Sequence, residues 1–253
     1  MRYSVLGSLL LLGTLPTAHA NSDQAIVDGC AKIGTYAQQG AQHYQQQRYQ
    51  KALSAFEDQA SWLEFCQQHT KLTHKPISDA QIDTAYNNVG LSHAKLGQVR
   101  WARAWYELAP KSKSSPYNLQ QLPPVAAQPN KQGLYVRYAG QGQWNQLSVV
   151  SAGQAYQIHF DGLRMGFMGM VSGPNVGEFD TTMAKNQQQA VYTTSEDSGT
   201  CTITMRFLPA TSSGERVQVT QKGASVCGFG FGVYAEGEYL KVSDQAVHNA
   251  TSE

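Results

Sequence analysis

Charge is scarce in this chain of 253 residues. Only 15% are Asp, Glu, Lys or Arg, against about 25% in an ordinary soluble domain. Lys and Arg number 19, Asp and Glu 18. Arg2 is the one charged residue among the first twenty, so beyond residue 20 the two signs balance. A neutral chain lacks the basic surface that nucleic-acid binding requires, and nothing draws it to an anionic membrane. There is no Cys-x-x-Cys, which argues against a redox pair and a zinc knuckle. There is no Gly-x-Ser-x-Gly elbow. Past residue 20 no apolar run approaches the roughly 20 residues of a membrane span. No long helix pattern interrupts the second half, which disfavours a parallel α/β fold there.

What is present at the start is Arg2, an apolar stretch from Val5 to Leu15, Pro16, and small residues at Ala18 and Ala20. That order is the pattern of a secretory signal peptide over residues 1–20, with cleavage expected after Ala20. One basic residue before a brief apolar run points to bacterial export. The periplasm is the expected compartment, with secretion the alternative. Four cysteines remain: Cys30, Cys66, Cys201 and Cys227. An even number in an exported chain favours disulfides. Three connectivities are open, as is the case in which all four stay reduced.

The mature chain divides by period. Residues 21–109 are rich in Ala and Gln at helical spacing, whereas residues 132–244 are rich in Gly, Thr and Val and alternate with period two. Residues 110–131 hold Pro110, Pro116, Pro123, Pro124 and Pro129, five of the nine prolines. This reads as an extended, stiff connector, although Tyr117 to Leu122 can pack on the helices. Residues 245–253 read as a flexible tail. The expected fold class is α+β, with helical hairpins followed by an antiparallel barrel or sandwich, the barrel preferred.

Within the helical half, Ser78-Asp79-Ala80-Gln81 is a capping-box pattern. Ala85, Tyr86, Gly90, Gly97, Ala102, Tyr106 and Pro110 follow at spacings that repeat, more loosely, as Tyr36, Gly40, Tyr49, Ala52 and Phe56. This spacing resembles the tetratricopeptide repeat, in which small residues let two antiparallel helices close on each other. Gln39, Gln47 and Gln59 depart from the family's pattern. The resemblance covers residues 33–110 and does not extend to the second half. It implies that Gly90 and Ala102 lie at a close helix contact, that Gly97 turns the chain, and that Tyr106 fills the gap. It also implies a hairpin turning near Gln47 and Arg48, which brings Cys30 level with Cys66 and leaves Cys201 to pair with Cys227.

In the second half, Thr200 to Phe207 alternates, with Cys201, Ile203, Met205 and Phe207 on one face. Tyr135–Tyr138, Leu147–Val150, Gln154–Phe160, Val191–Thr194, Arg216–Gln221 and Glu238–Val242 are further strand candidates. Eight or nine short strands are expected in all.

Chemistry-bearing constellations are few. His69 and His74 are five apart, which misses the i, i+4 zinc pair. His93 occupies a position for a packed aromatic, and His159 faces out of its strand. Glu178/Asp180, Glu196/Asp197 and Glu236/Glu238 read as solvated pairs. Gly228-Phe229-Gly230-Phe231-Gly232 lacks the helix and lysine of a phosphate loop; its bare glycines suit close packing beside Cys227 or the approach of a ligand. No catalytic residue, metal or cofactor is indicated.

The expected function is therefore non-enzymatic. The family resemblance implies a concave groove that holds another envelope protein or peptide. Its lining would be Thr84, Asn87, Asn88, Leu91 and Lys95 in the second copy, and Ala37, Gln38, Ala41, Tyr44 and Gln45 in the first. Lys95 is the one basic residue there, so a clamp for a C-terminal carboxylate is not expected. The alternative places function in the β half, as an inhibitor of lysozyme or toxin type or a barrel for a small ligand or glycan. The segment Ser172–Glu178 is the loop that would enter a partner's cleft.

Overall fold

Periodic small residues set the helical half. The computed structural model describes residues 18–246 except 127, 129 and 167–172, with side chains from residue 23 onward. Most of the expected signal peptide (residues 1–17) and the last part of the expected tail (247–253) lie outside the described residues. The helices are α1 (Ala18–Ala31), α2 (Ile33–Gln45), α3 (Tyr49–Gln68), α4 (Thr70–Thr73), α5 (Asp79–Lys95), α6 (Val99–Tyr106) and α7 (Ser114–Gln121). α2 pairs with α3 and α5 with α6 as hairpins, and α3 packs on α5. The capping box forms: the Ser78 backbone N–H donates to Gln81 Oε1 at 2.9 Å. A β-carbon on Gly90 would lie 2.4 Å from the Tyr106 ring, and one on Gly40 would lie 2.5 Å from the Phe56 ring. The missing side chains are what let each hairpin close. Gly97 turns between α5 and α6 with φ +75°, a conformation glycine adopts without strain.

The strands are β1 (Gly133–Gly140), β2 (Gln143–Ala152), β3 (Ala155–Arg164), β4 (Asn175–Ala184), β5 (Gln189–Glu196), β6 (Gly199–Phe207), β7 (Arg216–Lys222) and β8 (Gly237–Ser243). All pair antiparallel in the order β4-β3-β2-β1-β8-β7-β6-β5. Neighbours in sequence are neighbours in space except at β1–β8, which joins two four-stranded meanders. β4 and β5 meet without a ladder. Phe179 stacks on Tyr192 across that seam at 4.6 Å, and Thr181 Oγ1 donates to the Val191 carbonyl at 2.9 Å. The result is a nearly closed barrel rather than a sandwich. Eight strands leave an interior just wide enough for side chains, and Tyr135, Phe160, Phe179, Ile203, Met205 and Tyr239 help to fill it.

Cys30 bonds Cys66, tying α1 to α3 with Cα atoms 5.9 Å apart. Cys201 bonds Cys227, tying β6 to the segment after β7 with Cα atoms 5.0 Å apart. These are the two pairings implied above, and two disulfides suit a chain that matures in an oxidising compartment. Among the described residues no helix is long and apolar enough to cross a membrane.

Two expectations need correction. Residues 110–131 are not simply extended: α7 forms within them. Pro116 is its third residue, in the first turn where the backbone N–H has no helical partner to lose. The chain after α7 is also pinned to the barrel, as Val125 N–H donates to the Ser212 carbonyl at 3.1 Å and Gln128 N–H to Glu215 Oε1 at 2.9 Å. Second, Asn175–Glu178 is the start of β4 and not a loop, while Ser172 lies outside the described residues. Gly228–Gly232 is closely packed, as its bare glycines suggested. It packs along the barrel end, where Phe229 meets the Phe160 ring at 5.6 Å and Gly230 N–H donates to the Val176 carbonyl at 2.8 Å.

The halves are packed together. Ala104 of α6 and Trp101 lie on Leu134, Val136, Leu240 and Val242, the outward residues of β1 and β8, beside Trp144 of β2. Arg216 of β7 grips both oxygens of Glu107, at the end of α6, at 2.7 and 2.9 Å. Both bonds come from Nη2, while Nη1 donates to Glu238 Oε1 at 2.7 Å, so one partly buried guanidinium ties the end of α6 to β7 and β8.

Candidate functional site

The residues implied for a groove fall on α2 and α5. Gln38, Ala41, Gln45, Thr84 and Lys95 are exposed, and Ala37, Tyr44, Asn88 and Leu91 are half-buried. Tyr44 packs edge-on against Tyr49 at 5.3 Å, and Thr84 Oγ1 donates to the Ala80 carbonyl at 2.7 Å. Asn87 is different. It is 4% exposed, and its side-chain amide donates to Ser115 Oγ at 2.9 Å and to the Asp83 carbonyl at 2.8 Å, while its oxygen accepts from Asn118 at 3.0 Å. Ser115 and Asn118 belong to α7. Asn87 therefore holds α7 on α5, and changing it to Ala would loosen that helix rather than merely blunt a surface.

The barrel meets the helices elsewhere, at α3, α6 and the Tyr86 side of α5. The turn between β1 and β2 inserts against α3. Tyr138 Oη donates to Glu64 Oε1, Gln141 N–H donates to Glu64 Oε2 at 2.8 Å, and Gly142 N–H donates to Tyr138 Oη at 2.8 Å. A β-carbon at Gly142 would lie 2.2 Å from Ser61 Oγ. The turn is left-handed at Gly140, Gln141 and Gly142, with φ of 95°, 52° and 75°. Only Gln141 carries a side chain in that strained region.

Burial pushes the Glu64 carboxyl above its usual range, against the lowering effect of hydrogen bonds from Tyr138, Gln141 and Tyr86. A carboxyl raised on folding costs stability while ionised. That cost fades as pH falls from above the folded pKa toward the ordinary value of 4.5. Wild type is therefore expected to gain stability on Glu64→Gln as pH drops from about 8 to about 5, measured by urea midpoints of both proteins. A difference that does not change with pH would refute this.

On the barrel's outer face, register places Ser148, His159 and Asp180 in one row across β2, β3 and β4. His159 Nδ1 lies 3.0 Å from Asp180 Oδ1. The residue types are those of a nucleophile, base and orienting acid. However, Ser148 is 4% exposed, and backbone N–H groups of the flanked strands β2 and β3 are taken by the ladder, so none is free to hold an oxyanion. Among the described residues no group of three or more His, Cys, Asp or Glu is placed to hold a metal ion. His93, expected at an aromatic position, stacks on Trp101 at 5.8 Å; burial holds its pKa below the usual value.

Sequence reasoning missed the end of the barrel beside α3. There a cleft of about 490 Å³ is lined by Gln68, Arg137, Gln141, Arg164 and Tyr234, among others. Arg137 Nη2 donates to the Tyr234 carbonyl at 2.6 Å and Arg164 Nη1 to the Gly232 carbonyl at 3.4 Å. Next to it Phe231 is 87% exposed, and Val176 and Tyr234 are about half exposed. Arg137 and Arg164 are 27 positions apart in the chain, so no local spacing announces them. The glycines around Phe231 were the one visible sign.

No protein-family model, curated protein or solved structure matches this chain.

Proposed function

We propose that this is an exported, non-enzymatic protein-binding protein that presents the α2/α5 face to a partner in the bacterial periplasm. The observation that carries the reading is the division of surfaces. The barrel takes α3, α6 and the Tyr86 side of α5, whereas the side of α2 and α5 bearing Gln38, Ala41, Gln45, Thr84 and Lys95 is left exposed. The close approaches at Gly40 and Gly90 support the tetratricopeptide reading of the two hairpins. In that reading α7 sits where a further hairpin would stack, and Asn87 belongs to this internal seam. The face is polar and nearly uncharged, which suits amide side chains bonding to extended peptide backbone. The barrel then serves as a buttress, its interior being occupied by its own side chains.

A second reading is favoured by Phe231. An exposed aromatic on a glycine-rich segment, flanked by Val176 and Tyr234, is the kind of anchor that fills a partner's pocket. It would make the barrel end an inhibitory tip. One experiment separates the two. A photocrosslinking residue is placed at Gln45, at Thr84 or at Phe231 of the full-length exported protein. Crosslinks from Gln45 and Thr84 to one partner, lost in Ala41→Glu/Leu91→Glu with unchanged melting temperature, are the expected result. Crosslinks from Phe231 alone would replace the first reading by the second.

A further inference from the structure

We propose that the cleft at the barrel end, separate from the α2/α5 face, binds a small carboxylate-bearing sugar. Both guanidiniums there are held by carbonyls of one segment, at Gly232 and Tyr234. Two residues of chain span at most about 7 Å, so the two cations are drawn to one place. Among the described residues neither forms an ion pair, whereas Arg100 and Arg216 elsewhere each meet two carboxylates. Arg137 also donates to Tyr239 Oη at 3.5 Å and lies 5.7 Å from that ring's centre. Each guanidinium has five N–H groups in a planar fork, so donors remain on both for a carboxylate. No Asp or Glu is among the described residues that line the cleft. Glu64 lies behind the Gly140–Gly142 turn and is already engaged by Tyr138 and Gln141 N–H.

The second, independent observation is Gln141. Its side chain is buried, at 3% exposure, and neither Nε2 nor Oε1 has a hydrogen-bond partner among the described residues. A buried unpaired amide costs free energy, and its persistence asks for a reason. It lines the same cleft. An amide that can both donate and accept matches a sugar hydroxyl, and so does exposed Gln68. The half-exposed Tyr234 ring offers a face for a pyranose. The volume exceeds what a bare carboxylate or phosphate needs.

The test is an NMR titration of the full exported protein with D-glucuronate, in parallel with glucose, acetate and inorganic phosphate. Saturable binding of glucuronate, weaker by about tenfold or more in Arg164→Ala, is expected, with the three controls binding more weakly. Gln141→Met should also weaken binding without lowering the melting temperature, because no existing partner of the amide is lost. Absence of saturable binding, equal binding of glucose or acetate, or affinity unchanged by both substitutions would each overturn the proposal. Arg164 is exposed and bonds one carbonyl at 3.4 Å, so its removal leaves the fold intact and the outcome readable.

Discussion

Replacing Cys30 and Cys66 together by alanine is expected to lower stability by roughly 4 kcal/mol, and replacing Cys201 with Cys227 by roughly 3.5 kcal/mol. The bonds close chain segments of 36 and 26 residues. On the loop-entropy account, a longer closed loop restricts the unfolded chain more. The ranking does not rest on entropy alone. Cys66 packs with Ile26 and Phe65 in a small cluster, so without the bond α1 is held by that cluster and by the contact of Gly29 with the Trp62 ring. Cys201 and Cys227 lie inside the much larger barrel core, which retains its other contacts. Urea denaturation under oxidising conditions measures both losses. A loss below about 1 kcal/mol for either pair would mean that the bond contributes far less than loop closure predicts.

Trp105→Ala is expected to cost about 3–5 kcal/mol, the range for removing a buried large aromatic. Trp105 is 1% exposed. Its ring meets Trp144 at 5.3 Å and Tyr138 at 5.8 Å, both edge-on, and Tyr86 at 5.7 Å. Tyr86 and Trp105 come from the helices, Tyr138 and Trp144 from the barrel. Deleting the indole thus removes a member of the helical core that is also the centre of the joint between the halves. The expected signature is a melt in calorimetry that splits into two transitions where wild type shows one. Trp105→Phe should recover most of the loss. The indole N–H has no hydrogen-bond partner, so the phenyl ring gives up no bond. A single sharp melt in the alanine variant, with wild-type midpoint, would sink this view of the joint.

Four aromatics at this joint, Trp101, Trp105, Tyr138 and Trp144, mark the limit of what the chain discloses by pattern. Trp101 and Trp105 have the spacing of helix interior, and Tyr138 and Trp144 that of strands lining a barrel face. Each assignment is locally sound, yet the four meet one another across the joint, because an aromatic on the outside of one half looks the same in sequence as one inside it. Period-two alternation disclosed seven strands, whose inward residues are the ones found in the core. β4 escaped because Gly177 and Thr181 occupy two of its inward positions and Pro174 precedes it, so the stretch carries turn composition over a strand. α7 escaped because prolines dominate its surroundings, although a proline in the first turn does not oppose a helix. Ser148, His159 and Asp180 share a row only through strand register, and Arg137 and Arg164 share a cleft only through one connecting segment. Such groupings belong to topology and have no local signature. The hairpin glycines were legible for the opposite reason: close helix approach imposes a residue type at a fixed interval.

The closing of the barrel between its first and last strands sets the order in which this chain acquires structure. Each four-stranded meander joins residues near in sequence and can assemble early. The β1–β8 pairing instead links Leu134 to Ser243, so it requires closure of a long loop and is intrinsically slow. That late pairing builds the very wall on which α6 rests. The helical half, first to be synthesised, must therefore keep the barrel-facing sides of Trp101 and Trp105 uncovered until the final strand arrives. Throughout that interval the unfinished molecule is adhesive, and a chaperone that shields aromatic surface would find its substrate there.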